Sequence, residues 1–199
     1  MAAFWTGRGG GYCRISPARP HDISRTYLEN TLILETTFRE ENGEARLLDF
    51  FTMRKGGEHR PHQQILRIVE GIKGKIAFEM DIVPRFDYGS IKPWIRRQDD
   101  HSYIMIGGHD GLLVSYDSSL EMEHRHRLVG SFAVEPGERR HLSILYRKPG
   151  DLDEGLVSPP PVKELDHRLD ETLNWWRSWV SKGKIETPYA SVCLSLIHI

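Results

Sequence analysis

Residues 31–38 read TLILETTF, residues 41–43 read ENG, and residues 45–53 read ARLLDFFTM. The first run is rich in β-branched and apolar residues, a second apolar run answers it, and Asn42-Gly43 stands between them. Asn-Gly between two such runs is a strong hairpin signal, because the primed turns of tight hairpins need positive φ and these residue types supply it. The stretch sets the chain as antiparallel β, and the same alternation of strand and turn runs from Tyr27 to Lys148.

Residues 64–72 carry Ile65, Ile68 and Ile72 between Pro61 and the glycines at Gly71 and Gly74. Residues 76–83 alternate cleanly and stop at Pro84. Further strands are predicted over 94–97, 103–106, 112–116 and 128–134. Glu135-Pro136-Gly137-Glu138 reads as a turn, with Pro136 presetting φ and Gly137 free to adopt φ > 0. Residues 141–146 put Leu142, Ile144 and Tyr146 on one face. Short strands at this spacing predict an antiparallel β-sandwich over 1–150 rather than βαβ units. Asp110-Gly111 and Asp99-Asp100 read as turn and loop, and no internal repeat is visible.

The character changes at Pro149. Residues 151–163 are acidic and then carry Pro159-Pro160-Pro161, a stiff extended connector. Residues 164–183 predict one long helix with Leu165, Leu169, Leu173, Trp176 and Val180 on a single face. Asp166, Asp170 and Glu171 lie early and Lys182 late, which complements the helix dipole, and Gly183 suits a left-handed cap. Trp175, Trp176 and Trp179 crowd one end. That much aromatic surface calls for cover, either from the sandwich or from a domain outside this sequence.

The 199 residues are 39% hydrophobic and 28% charged, a globular balance that argues against disorder and coiled coil. Lys+Arg 27 against Asp+Glu 28 leaves a net charge of −1, with no basic excess for a nucleic-acid backbone or an anionic membrane. Cys13 and Cys193 form no disulfide framework and read as free thiols of a reducing compartment. No apolar run reaches the roughly 20 residues of a membrane span, and no signal peptide follows Met1. A cytoplasmic location is the expectation, subject to Met1 being the true start.

Candidate chemistry is sparse. Gly7-Arg8-Gly9-Gly10-Gly11 lacks the Lys-Ser/Thr of a phosphate loop and reads as a loop or turn. His124 and His126 share a face if they lie on a strand, but no third ligand stands at a diagnostic spacing, nor do His101 and His109 supply one. No Gly-x-Ser-x-Gly elbow is present. Asp87, Asp99, Asp100, Asp110 and Asp117 are carboxylates in the strand-rich region, and no catalytic pair is assigned among them. No metal or cofactor site is assigned. The most distinctive stretch is Pro84-Arg85-Phe86-Asp87-Tyr88-Gly89 with Pro93-Trp94. Arg85, Phe86, Asp87, Tyr88 and Trp94 combine rings that stack on sugar C–H faces with charges that bond hydroxyls. The same set also describes an ordinary structural corner, which physical chemistry alone favours over a sugar site.

The ordered segments Gly10-Gly11-Tyr12-Cys13-Arg14-Ile15-Ser16-Pro17, residues 25–36 (RTYLENTLILET), residues 48–53 (LDFFTM), residues 66–71 (LRIVEG), residues 84–89 (PRFDYG) and residues 172–179 (TLNWWRSW) resemble the N-terminal, trehalase-like domain of bacterial glycoside hydrolase family 15 proteins, the glucoamylase-like enzymes. The resemblance implies a large sandwich of the super-β-sandwich type, then a linker helix, then a catalytic (α/α)6 barrel. That barrel carries two glutamates that hydrolyse α-glucosidic bonds with inversion. Residues 184–199 correspond to the start of the barrel, so no catalytic residue is carried over. A segment expected before Phe4 is missing and residues 193–199 do not resemble the family's helix, so the chain reads as a fragment with an artefactual tail. The partners implied are the missing barrel and, through it, an α-glucoside. Leu173, Trp176, Trp179 and Val180 are the candidates for docking on the barrel. Two further roles are a stand-alone carbohydrate-binding module using Phe86, Tyr88 and Trp94, and a purely structural docking domain.

Overall fold

A computed structural model describes residues 10–57, 59, 61–153 and 157–182. The opening hairpin is present as β3 (Leu34–Glu40) and β4 (Gly43–Phe51), but it begins later than the apolar run. Residues 28–33 form a turn instead. Thr31 Oγ1 donates to the Leu28 carbonyl at 2.9 Å and accepts the Ile33 N–H at 3.1 Å, which leaves Ile33 fully buried. The hairpin turn also differs from expectation. Glu40 pairs with Gly43, so Glu41 and Asn42 make the turn, and neither Asn42 nor Gly43 has positive φ. Gly43 is needed for space, since a Cβ there would sit 2.7 Å from Ile76 Cγ1. Across from it Gly74, at φ +61°, brings its backbone to the Asn42 carbonyl, where a Cβ would lie 2.1 Å from the oxygen. Two hairpin turns therefore nest, and only glycine permits the approach.

The other strands are β1 (Tyr12–Pro17), β2 (Asp22–Tyr27), β5 (Gln64–Lys73), β6 (Ile76–Val83), β7 (Trp94–Asp99), β8 (Ser102–Gly107), β9 (Asp110–Tyr116), β10 (Glu121–Glu123), β11 (Arg127–Val134) and β12 (Arg139–Arg147). They form an eight-stranded sheet, in the order β2-β3-β4-β5-β12-β9-β8-β7, and a four-stranded sheet, β1-β6-β11-β10. The strand pairings are antiparallel, so the mainly β sandwich followed by a helix is what the chain forms. Pro136 and Gly137 make the expected turn, with Gly137 at φ +82°. Asp110-Gly111 is not a turn: both residues open β9, and Gly108, at φ +65°, turns the chain before them.

The inner faces of the two sheets enclose the main core. Phe38, Leu47, Val69, Met105, Val114 and Leu142 of the large sheet meet Ile15, Phe78, Met80, Ile82 and Leu128 of the small one. Phe38 meets Phe78 edge-on at 5.6 Å, and Phe78 stacks on Phe132 at 5.3 Å. The outer face of the large sheet is covered too. Leu165 and Leu169 of α2 (Val162–Lys182) bury Ile33, Leu48, Phe50, Leu66 and Ile68. Further along, α1 (Pro149–Asp153) sets Leu152 on Ile104, Leu113 and Leu145. The stretch read as a stiff connector thus opens with a short helix that belongs to the core. The molecule has three layers, and β5, a strand of the middle one, buries apolar side chains on both of its faces.

Candidate functional site

After β6 ends at Val83 the chain makes the Pro84–Tyr88 loop in a constrained shape. Asp87 (φ 47°) and Tyr88 (φ 52°) are consecutive left-handed residues without being glycine, a conformation that costs on the order of 1 kcal/mol or more per residue. Local bonds hold it: Gly89 N–H donates to Phe86 O at 3.0 Å, Ser90 N–H to Asp87 O at 3.0 Å, and Ser90 Oγ to Asp87 Oδ2 at 2.8 Å. Phe86 bridges to Ile91 and lies against Gly107, where a Cβ would come within 2.5 Å of the ring. With Phe86 as anchor and Asp87 as brace, Tyr88 is pushed into solvent, 104% exposed.

Arg85, Tyr88 and Gly89 contribute to the lining of a cavity of about 610 Å³ between the sheets, whose walls include Cys13, Ile65, Ile82, Met105 and Leu112. Arg85 Nη1 donates to the Pro84 carbonyl at 2.7 Å. Trp94 lies elsewhere. It pairs with Ile106, so it faces the outer side of the large sheet. There it is 56% exposed, with the Arg96 guanidinium 5.4 Å from its ring centre. The structure therefore brings Arg85, Phe86, Asp87 and Tyr88 together and sets Trp94 on the opposite face of the sheet.

The helix α2 divides in two. Its first half is tied to the large sheet by Leu165 and Leu169, by Arg168 Nη1 donating to Gln64 Oε1 at 2.6 Å, and by Met53 N–H donating to Thr172 Oγ1 at 2.9 Å. Leu173 still touches the apolar patch. Beyond it Trp175 and Trp176 meet edge-on at 4.8 Å and Trp176 and Trp179 at 5.9 Å, with Trp179 43% exposed. Val180 is half-buried and Lys182 ends the helix. Gly183, Cys193 and residues 184–199 lie outside the described residues, as do Gly7 to Gly9. Gly11 is described, and it packs on Val83, where a Cβ would sit 2.8 Å from the carbonyl oxygen.

Three polar clusters were not legible in the sequence. Between the sheets Arg67 Nε meets Asp49 Oδ1 at 2.5 Å, while Arg67 Nη1 donates to the Cys13 carbonyl at 2.7 Å and reaches Cys13 Sγ at 3.1 Å. Burial pushes the Cys13 thiol up and outweighs the nearby arginine, so it is a poor nucleophile. On the outside of the small sheet Asp81 accepts from Arg127 at 2.7 and 3.0 Å and from Tyr12 Oη at 2.8 Å. At the seam under α2 His141 lies between Asp117 and Asp166. Each joins residues far apart in sequence, which no local pattern announces.

The remaining candidates are locally engaged. His124 and Arg125, both at positive φ, form the turn between β10 and β11 rather than a strand, and the His126 ring nitrogen lies 3.1 Å from the Pro93 carbonyl. Asp99 accepts the His101 N–H, Asp100 pairs with Arg97, and Asp110 accepts from Tyr146 Oη. Among the described residues no group of three or more His, Cys, Asp or Glu is placed to hold a metal ion, and no helix is long and apolar enough to cross a membrane.

No protein-family model matches the chain. It is similar to curated trehalases of archaea. It is 29% identical over 189 residues to the trehalase of Thermoplasma volcanium and 28% identical to that of Thermoplasma acidophilum, in both cases over 93% of this chain. Over 78 residues it is 33% identical to trehalase 1 of Sulfolobus acidocaldarius. The chain spans only 29% and 31% of the length of the two Thermoplasma proteins.

Proposed function

We propose that this chain is the non-catalytic β-domain of a longer α-glucosidic hydrolase of the trehalase type, and that α2 carries it onto a catalytic domain. The observation that carries the reading is the tryptophan-rich end of α2, which runs past its last tie to the sheet with Trp179 43% exposed. Similarity to trehalases about three times as long supports it. In this reading Leu173, Trp176, Trp179 and Val180 form the docking face, residues 1–150 the sandwich, 151–163 the linker, 164–183 the linker helix, and 184–199 the beginning of an (α/α)6 barrel. The family 15, glucoamylase-like resemblance of the bacterial type adds the chemistry, an acid and a base acting across a water with inversion. Both groups belong to the barrel, and no residue of this chain is assigned to the chemical step. A cytoplasmic location accompanies the reading.

A second reading rests on Tyr88. An aromatic ring held fully in solvent by two strained residues suits stacking on a sugar, with Arg85 and Asp87 beside it and Phe86 as its anchor. Trp94 offers a separate platform on the far face. One preparation of the chain separates the two. Incubated with trehalose it releases no glucose, and titrated calorimetrically with trehalose or maltose it gives no heat under the first reading. Glucose release overturns the non-catalytic role. Heat lost on Tyr88→Ala favours the binding module instead.

A further inference from the structure

The seam between α2 and the large sheet holds an arrangement that the proposed function does not use. His141 lies on β12 and is 2% exposed. Its Nδ1 is 3.0 Å from Asp117 Oδ2 at the end of β9, and its Nε2 is 3.0 Å from Asp166 Oδ1 on α2. A neutral imidazole carries one N–H and one lone pair, so it can satisfy only one of these carboxylates and turns a lone pair on the other. Only the imidazolium donates to both. Asp117 depends on the ring in particular. Its Oδ2 otherwise receives the His141 backbone N–H at 2.9 Å, and its buried Oδ1 has no hydrogen-bond partner.

We propose that His141 is an imidazolium clamp, whose second proton locks the first turns of α2 onto the sheet and whose loss loosens them. The charged groups around the ring favour this. Asp166 comes from α2 and Asp117 from the end of β9. Arg139, on the ring's own strand, donates to Asp166 Oδ1 at 3.0 Å, and its charge is shared with Glu70 of β5 at 3.4 Å. Arg140, also on β12, turns Nη1 to the Arg139 carbonyl, and Tyr116 of β9 packs into the core on the opposite face. Two carboxylates thus face the ring directly, against one arginine, Arg139, whose second partner Glu70 is shared with Arg46 at 2.7 Å. Burial alone lowers the pKa of His141, but the bonds to Asp117 and Asp166 outweigh it and set it above the ordinary 6.5. Burial likewise raises that of Asp166, and its bonds to His141 and Arg139 hold it below the usual carboxylate range. For a histidine with a raised folded pKa the stabilisation is complete below the unfolded value and is lost as pH rises through the folded one. The clamp stands on these residues alone and is independent of the proposed function.

The test uses the full chain. Nitrogen NMR of the imidazole at about pH 6 is expected to show both ring nitrogens of His141 protonated, with a titration midpoint above the ordinary histidine value that falls in Asp166→Asn. Amide exchange over residues 165–173, corrected for intrinsic rates, is expected to quicken by about tenfold as pH rises through that midpoint, the loss of one charge-assisted hydrogen bond. In Asp166→Asn, whose altered side chain is half-exposed, the step is expected to shrink as its midpoint falls toward the ordinary histidine value. A buried histidine of purely structural role keeps one protonated nitrogen and gives α2 exchange independent of pH, and either result overturns the clamp. His141→Gln, where it folds, is expected to abolish the step, and a step that survives it also overturns the clamp.

Discussion

Arg67 holds a full charge between the two sheets at 5% exposure, and Asp49 meets it with two oxygens. Burial by itself pushes the Asp49 carboxyl up, but the guanidinium outweighs this and holds it below its ordinary range. A depressed carboxyl stabilises above its unfolded pKa and loses that contribution as pH falls through the folded one, so this pair is intact at neutral pH and fails in acid. Removing one partner leaves the other charged and buried, whereas replacing both with apolar groups removes the desolvation cost. Asp49→Asn is expected to lower unfolding free energy by about 3 kcal/mol in urea titration, and Asp49→Leu with Arg67→Met to recover most of it. A single variant as stable as the parent contradicts this account of the pair. The sequence did not single out either residue, because an Arg and an Asp in alternating strands look like solvent-facing positions until the small sheet is laid over them.

Among the elements, α2 shows the division most clearly. Leu169 is buried on Phe50 and Leu66, while Trp179 has left the sheet. Leu169→Ala is expected to destabilise the chain by about 2–4 kcal/mol, and Trp179→Ala by less than about 0.5 kcal/mol. Thermal and urea unfolding of the two variants side by side measures the difference, and equal losses contradict the division of the helix. The helix was legible from its apolar spacing, and the strands from β3 onward, the short charged β10 apart, from their alternation. β2 was not, since all six of its residues are exposed and DISRTY carries no apolar stripe. β5 was blurred for the opposite reason: Leu66 and Ile68 face the helix while Val69 faces the other sheet. Of the candidate site, the aromatic loop at 84–89 was visible as an unusual composition. That Trp94 stands on the other face depends on its register with Ile106, which only the pairing reveals.

At the scale of the molecule, three layers bury apolar surface between them, and Phe51, Tyr88, Trp94 and, on α2, Trp179 are among the large side chains left exposed. The small sheet covers the inner face of the large one, and α1 and α2 cover the outer face. What extends beyond is a tryptophan array on a helix whose docking is set by His141, Arg168 and Thr172. The three adjacent tryptophan rings make this edge the place where the proposed partner domain is expected to sit. This chain matches less than a third of the length of the two Thermoplasma relatives. The most direct measurement replaces the matched stretch of the Thermoplasma volcanium trehalase with this chain and follows trehalose hydrolysis. The account predicts an active chimera that Trp176→Asp reduces at least about tenfold, the loss of one buried aromatic anchor. Unchanged hydrolysis by that variant contradicts the docking role on which the account rests.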